Sequence, residues 1–306
     1  MRGDCRGMIG MAAALAASVA VVVGCVERSE RGSSEGRGDS PRVASLSPAI
    51  SRALVDLGLE DRIVGRSAFC DFLDPAVPIV GDLQSANYER LMELRPTHVL
   101  VQAPASGIDR ELAALAERNG WSLGQWSGLD SIEDIVRLVR ALPGTLYEAG
   151  SEERAVVTAR SEALLEEMVG ALSSGSGETW RGSTLLVHRL EPIGVFGRET
   201  YLDDILLRLG GRNAVDARGW AELTLEDVAR ANPGAIIVIR PGAGEGLSAV
   251  DAAGALARLE IDAVREGRIA VMRHGEALLP STSVIGVAGE MRALLEGLAR
   301  KVEAGQ

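Results

Sequence analysis

Few side chains in this sequence could bind a metal or activate a nucleophile. The chain holds three histidines and three cysteines. His98 falls where a helical pattern passes into an apolar run and reads as structural. His188, His274 and Cys70 lie in stretches that read as loops at strand ends. If they converged, they could touch a metal or support metal-assisted chemistry. None shows a paired spacing such as His-x-x-x-His, which would set two ligands on one helix face. Asp71, Asp74 and Asp82 lie in loops without a companion base or nucleophile, so they read equally as polar groups that orient a ligand. No Gly-x-Ser-x-Gly spacing falls between a strand and a helix pattern, as a nucleophile elbow requires, and no phosphate-binding loop ends in Lys-Ser/Thr. Gly242-Ala243-Gly244-Glu245-Gly246 lacks the Gly-x-Gly-x-x-Gly spacing of a dinucleotide site and reads as a flexible loop.

One carboxylate occurs in two equivalent places. Asn87 to Val101 and Thr224 to Val238 each carry a glutamate, Glu89 or Glu226, in a short helical pattern. A proline, Pro96 or Pro233, follows seven positions later, and then an apolar run. Helix, proline stop and buried strand make one αβ unit. Its repetition predicts two similar lobes, each presenting one glutamate from the same place. In the first copy Tyr88, Leu91, Met92 and Leu94 are expected to form the apolar stripe.

The elements that must position these residues alternate. Strand patterns cover 42–46, 63–65, 78–81, 99–101 and 121–125, with helical patterns over 49–57, 110–118 and 132–142 between or after them. A long helical pattern runs from Tyr147 to Leu172, capped at or before Ser151. Strands at 185–187, 236–239 and 269–271 then alternate with helices at 202–209, 250–258 and 284–302. Trp220 reads as a loop residue before the Glu226 helix. This order predicts two Rossmann-like α/β lobes with mostly parallel sheets, at 42–144 and 180–306, joined by one long helix within 145–174. A single rigid connector predicts small relative motion of the lobes.

Composition narrows the function. At 46% hydrophobic and 25% charged, the 306 residues are those of a globular protein. The net charge of -11 argues against a nucleic-acid partner and against a broad grip on anionic lipid. Arg2 and Arg6 precede an apolar run from Met8 to Val23, which has the length of a signal peptide rather than a membrane span. The run ends Val22-Val23-Gly24-Cys25 and resembles a bacterial lipobox, with Cys25 as the lipidated residue of an exported, membrane-anchored protein; an ordinary signal peptide with an incidental cysteine is the alternative. Residues 1–24 are thus expected to be a leader and 25–41, rich in Ser, Gly, Arg and Glu, a disordered tether. Cys70 is then the one cysteine of the body, so no intramolecular disulfide is expected there.

The motifs Arg42-Val43-Ala44-Ser45-Leu46-Ser47-Pro48, Cys70-Asp71, Val80-Gly81-Asp82 and Tyr88-Glu89-Arg90-Leu91 through Val99-Leu100 resemble those of a known family. So do Gly197-Arg198-Glu199-Thr200-Tyr201, Leu209-Gly210-Gly211-Arg212-Asn213-Ala214, Trp220, and Glu226 through Pro233 to Ile239. Over about Arg42 to Ala299 the chain is similar to the periplasmic cobalamin- and ferric-siderophore-binding proteins of ABC importers. The resemblance implies two α/β lobes joined by one long helix, a ligand cleft between them, and no catalysis. It implies that Glu89 and Glu226 dock onto arginines of a membrane permease. It also implies a monomer without a cofactor of its own, whose ligand is a small-molecule metal chelate.

Within that frame a planar ligand is expected between Phe69 and Trp220, with polar contacts from Ser47, Asp71, Gln84, Arg189 and His274. Leu83-Gln84 stands where cobalamin-binding relatives often carry an aromatic. Leu279-Pro280-Ser281-Thr282-Ser283 lacks the arginine common in siderophore binders. Cys70-Asp71 and that lost arginine lean toward a corrinoid. A ferric siderophore or haem is the alternative ligand. A metal-dependent surface enzyme built on His188, His274 and Cys70, and a sensor rather than a transport component, are the alternatives of another class.

Overall fold

The computed structural model describes residues 40–103, 107–173 and 178–304. The expected leader, Cys25 and nearly all of the expected tether lie outside the described residues.

The first lobe is an α/β unit. Its strands are β1 (Val43–Ser45), β2 (Ile63–Ser67), β3 (Ile79–Gly81), β4 (His98–Ala103) and β5 (Ser122–Ser127). They form a parallel sheet in the order β3-β2-β1-β4-β5. β1 is buried along its length and β4 nearly so, as befits central strands covered on both faces. The helices are α1 (Pro48–Asp56), α2 (Tyr88–Leu94), α3 (Arg110–Asn119) and α4 (Ile132–Leu146). α1 starts where the sequence places it, with Ser47 as N-cap and Pro48 in the first turn. In α2 only Leu91 is fully buried, and Met92 is 51% exposed. The expected apolar stripe is therefore narrower, because a seven-residue helix rests on its sheet through one turn.

The long helical pattern expected from Tyr147 is α5 (Glu152–Leu172), and the helix expected over 132–142 is α4. α4 runs through Pro143 to Leu146, and α5 begins only after Ser151, whose hydroxyl accepts from the Arg154 amide. Gly150 at φ +86° turns the chain between them.

The second lobe contains β6 (Ser183–Leu190), β7 (Ile193–Phe196), α6 (Tyr201–Arg208), β8 (Arg212–Asn213), β9 (Trp220–Leu223), α7 (Leu225–Ala231), β10 (Ala235–Ile239), α8 (Ala249–Ala253), α9 (Asp262–Arg265), β11 (Ile269–Met272) and α10 (Val284–Ala304). β10 is wholly buried and parallel to β6 and β11. The sheet continues β6-β7-β9, and these last pairings are antiparallel. Trp220 is thus the first residue of an edge strand paired with Phe196, not a loop residue. The helix expected over 250–258 is α8 followed by a 3₁₀ turn, because Gly254 at φ +55° breaks it.

The two lobes share one hydrophobic core. Ile50, Leu54, Ile135 and Leu142 of the first lobe and Met168 of α5 belong to the same buried cluster as Phe196, Ile205, Met291 and Leu295 of the second. Polar contacts reinforce the seam. Arg52 of α1 lies 3.3 Å from Glu276, Thr282 donates to Asp56 at 2.5 Å, and Asp204 of α6 accepts from the Ile132 amide at 3.0 Å.

Candidate functional site

In the first lobe the parallel strands all deliver their carboxyl ends to one edge, where open α/β sheets hold ligands. β1 pairs with β4 as far as Ser45–Leu100, and β4 runs on to Ala103 beside Ser127. The chain after β1 turns at Ser47, which is fully buried. Its hydroxyl oxygen accepts from the Ile50 amide at 3.4 Å, and the hydroxyl donates to Gln102 Oε1 at 3.1 Å. Ser47 therefore reaches the edge through Gln102.

The loop after β2 is folded around Cys70. Its thiol is fully buried, and burial pushes its pKa up. Cys70 N–H donates to Ser67 O and Cys70 O accepts from Leu73 N, both at 3.2 Å. With Cys70 turned into the core, Phe69 is left 65% exposed and Asp71 exposed beside it. Phe72 lies under the Arg52 guanidinium, 5.4 Å from its ring centre. After β3, Asp82 Oδ1 accepts from the Gln84 and Ser85 amides at 2.8 and 2.9 Å. These bonds hold its carboxyl below the usual range and leave Leu83 and Gln84 outward. Gly81 makes this turn possible, since a Cβ there would meet Ser85 O at 2.3 Å. Between this loop, the end of β4 and the start of α3 lies a cavity of about 490 Å³, lined by Leu46, Asp82, Gln84, Gln102, Asp109 and Arg110 among others.

In the second lobe β6 carries His188 one residue beyond the Val187–Val238 pair, at the level where β10 ends. His188 packs edge-on against Trp220 at 4.8 Å and Phe196 at 5.3 Å, and the Phe196 and Trp220 rings lie 4.2 Å apart. Gly194 permits this approach, because a Cβ there would come within 2.5 Å of His188 Nε2. Burial, with Arg189 and Arg240 nearby, lowers the His188 pKa and so favours the neutral ring. Trp220 keeps 52% of its surface exposed above this cluster. Arg189 is engaged at the sheet edge, paired with Glu222 and donating to Pro192 O at 3.1 Å.

His274 stands elsewhere. Its amide donates to Glu290 at 2.7 Å and its Nδ1 accepts from Glu276 N at 3.3 Å. It lines a separate 570 Å³ cavity at the lobe seam with Arg52, Asp56, Glu167, Glu276 and Thr282. His188, His274 and Cys70 are not brought together. Among the described residues no group of three His, Cys, Asp or Glu is placed to hold a metal ion. The enzyme alternative loses its ligand set on that ground.

Glu89 and Glu226 occupy the same position in two equivalent helices. Each is the second residue of a seven-residue helix, α2 or α7, capped by Asn87 or Thr224. Each helix ends at a left-handed residue, Arg95 or Asn232, followed by proline. Both glutamates are exposed, and among the described residues neither forms an ion pair. Their neighbours do, with polarity reversed: Arg90 pairs with Glu93 at 2.7 Å, Arg230 with Asp227 at 2.9 Å. Sequence reasoning missed Gln102 and Phe196. The polar Gln102 closing the apolar run Val99-Leu100-Val101 was the available signal for the first.

The chain matches the family model described as "periplasmic binding protein" over residues 43–274. A Bacillus subtilis (strain 168) relative, the uncharacterized ABC transporter substrate-binding lipoprotein YvrC, is 21% identical over 200 residues. That match covers 64% of this chain and 62% of the relative, so the chain spans less than two thirds of the relative's length. Among solved structures, the periplasmic heme-binding protein RhuT from Roseiflexus sp. RS-1 is 22% identical, with a TM-score of 0.65 over 85% of this chain and 99% of RhuT. The periplasmic vitamin B12 binding protein BtuF of Vibrio cholerae is 18% identical, with a TM-score of 0.62 over 85% of this chain and 98% of BtuF. At these identities the likeness is one of fold.

Proposed function

The chain belongs to the periplasmic binding protein family, and from that premise we propose that it is the solute-binding component of an ABC importer, capturing a corrinoid or related metal chelate. The observation that carries this reading is one exposed aromatic on each lobe. Phe69 stands on a loop anchored by Cys70, and Trp220 on the Phe196–His188 cluster. Exposed aromatic faces backed by rigid packing suit a flat ligand, because stacking needs little reordering. Relatives of this fold include a heme-binding and a vitamin B12 binding protein, so haem is the second ligand to weigh. Cys25 is the proposed lipid anchor at the cell envelope. Glu89 and Glu226 are the proposed docking points for basic groups of the permease, where separated charges give orientation and steering more than affinity.

Isothermal titration with cyanocobalamin, a ferric siderophore and haemin tests the ligand. Binding to at least one is expected, and binding to none would sink the assignment. Charge reversal at both Glu89 and Glu226 is expected to abolish uptake in cells while leaving ligand affinity unchanged. Lost affinity would show that the glutamates serve the cleft instead.

A further inference from the structure

We infer that Gln102 is a ligand-orienting donor, and that the first-lobe wall of the cleft is built for a ligand edge carrying neutral carbonyl oxygens. This rests on the solute-binding reading above. Gln102 lies near the carboxyl end of β4, beyond the last pairing with β1, and lines the 490 Å³ cavity. Its amide has a defined orientation. The buried Ser47 hydroxyl has one proton, and its oxygen already accepts from the Ile50 amide at the start of α1. That oxygen could accept a second bond, but the buried proton needs an acceptor, and among the described residues Gln102 Oε1 at 3.1 Å is the one that takes it. A helix cap thus sets the direction of a side chain 55 residues away, and the Gln102 NH₂ points away from Ser47 with both protons. Among the described residues no protein acceptor takes them.

The rest of the wall fits the same ligand chemistry. Asp82 accepts from two backbone amides of its own loop, and Asp109 accepts from the Glu111 and Leu112 amides at 2.6 and 3.2 Å as the cap of α3. Each carboxylate commits its Oδ1 to the backbone. The donors left for a ligand are the Gln102 and Gln84 side-chain amides and the exposed Arg110 guanidinium, which forms no ion pair among the described residues. Donors ask for acceptors. Two carboxylates against one guanidinium leave the wall net negative, which disfavours an anionic edge and favours neutral amide or ester carbonyls.

The test compares cyanocobalamin, whose rim carries amide carbonyls, with haemin, which carries carboxylates. Titrations use the whole chain and its Gln102→Met and Ser47→Ala variants, with thermal melts to confirm folding. Gln102→Met is expected to weaken cyanocobalamin binding about tenfold, since the methionine keeps the length and loses the donor, with a melt that is lowered by the unpaired Ser47 hydroxyl but remains a single cooperative transition. Ser47→Ala is expected to weaken it about threefold, because the Gln102 amide is then free to flip. Haemin is expected to bind more weakly than cyanocobalamin and to respond little to Gln102→Met. Cyanocobalamin binding that Gln102→Met leaves intact overturns this inference while keeping the transport reading. Haemin binding more tightly than cyanocobalamin overturns the neutral-carbonyl assignment. No binding of either probe by the unaltered chain removes this inference, and the siderophore titration then decides the transport reading separately.

Discussion

Cys70, His188 and His274 are chemically competent residues that the fold assigns to three different tasks. Cys70 anchors a loop, His188 supports Trp220, and His274 packs at the seam. The two histidines with a resolved shift make a prediction about pH. Burial lowers the pKa of both His98 and His188. A histidine with a depressed folded-state value binds its proton more readily when unfolded, so its contribution to stability is lost as pH falls. The loss should begin near the ordinary histidine value of about 6.5 and continue below it. The urea midpoint, followed by circular dichroism, is therefore expected to fall between about pH 7 and pH 5. His98→Gln and His188→Gln should each flatten that fall, and an unchanged slope in both would contradict the assignment. A second decline is expected at lower pH. Asp82, Asp109, Asp227 and Asp262 are held below their ordinary values by hydrogen bonds, and their contribution is lost as they protonate.

At the scale of elements the repeated unit is the most legible feature. α2 and α7 agree in cap, length, left-handed stop and following proline. Those signals are local, so the sequence displays them. Asn87 Oδ1 accepts from the Arg90 amide at 2.9 Å, and Thr224 shares a capping box with Asp227. Asn87→Ala and Thr224→Ala are each expected to cost about 1 kcal/mol, measured by urea denaturation. Stability unchanged in both would mean that the helices are held by packing alone. β7 and β9 were less legible. Trp220–Leu223 is only four residues long with a half-buried face of Ala221 and Leu223, and its pairing with β7 is what makes it a strand. The end of α4 was also less legible, since the helix runs past the expected Leu142 through Pro143 to Leu146.

For the whole molecule the shared core matters more than the connecting helix. Residues of both lobes lie in one buried cluster, and α5 packs against α4 and α10. The Arg52–Glu276 pair is partly exposed, so it contributes at most about 1 kcal/mol. A common core predicts one cooperative unfolding transition. Tryptophans lie in both halves, Trp121 and Trp126 in the first, Trp180 and Trp220 in the second. Variants retaining only one pair should show coincident fluorescence transitions in urea. Two separated midpoints would show that the lobes unfold independently.

The sequence by itself determined the α/β alternation, the caps, the two glutamates in equivalent places and the absence of a paired metal-ligand spacing. These follow from periodicity and turn chemistry within about ten residues of chain. Tertiary structure alone decided which aromatics stay open, that His274 lines a cavity at the lobe seam, and that Gln102 meets Ser47. Each of those depends on contacts between distant segments, such as Ser47 with Gln102 at a separation of 55 residues and Arg52 with Glu276 at 224. Local patterns specify the faces of strands and helices. Which side chains meet across a seam is set by how those faces pack, and no short-range spacing records it.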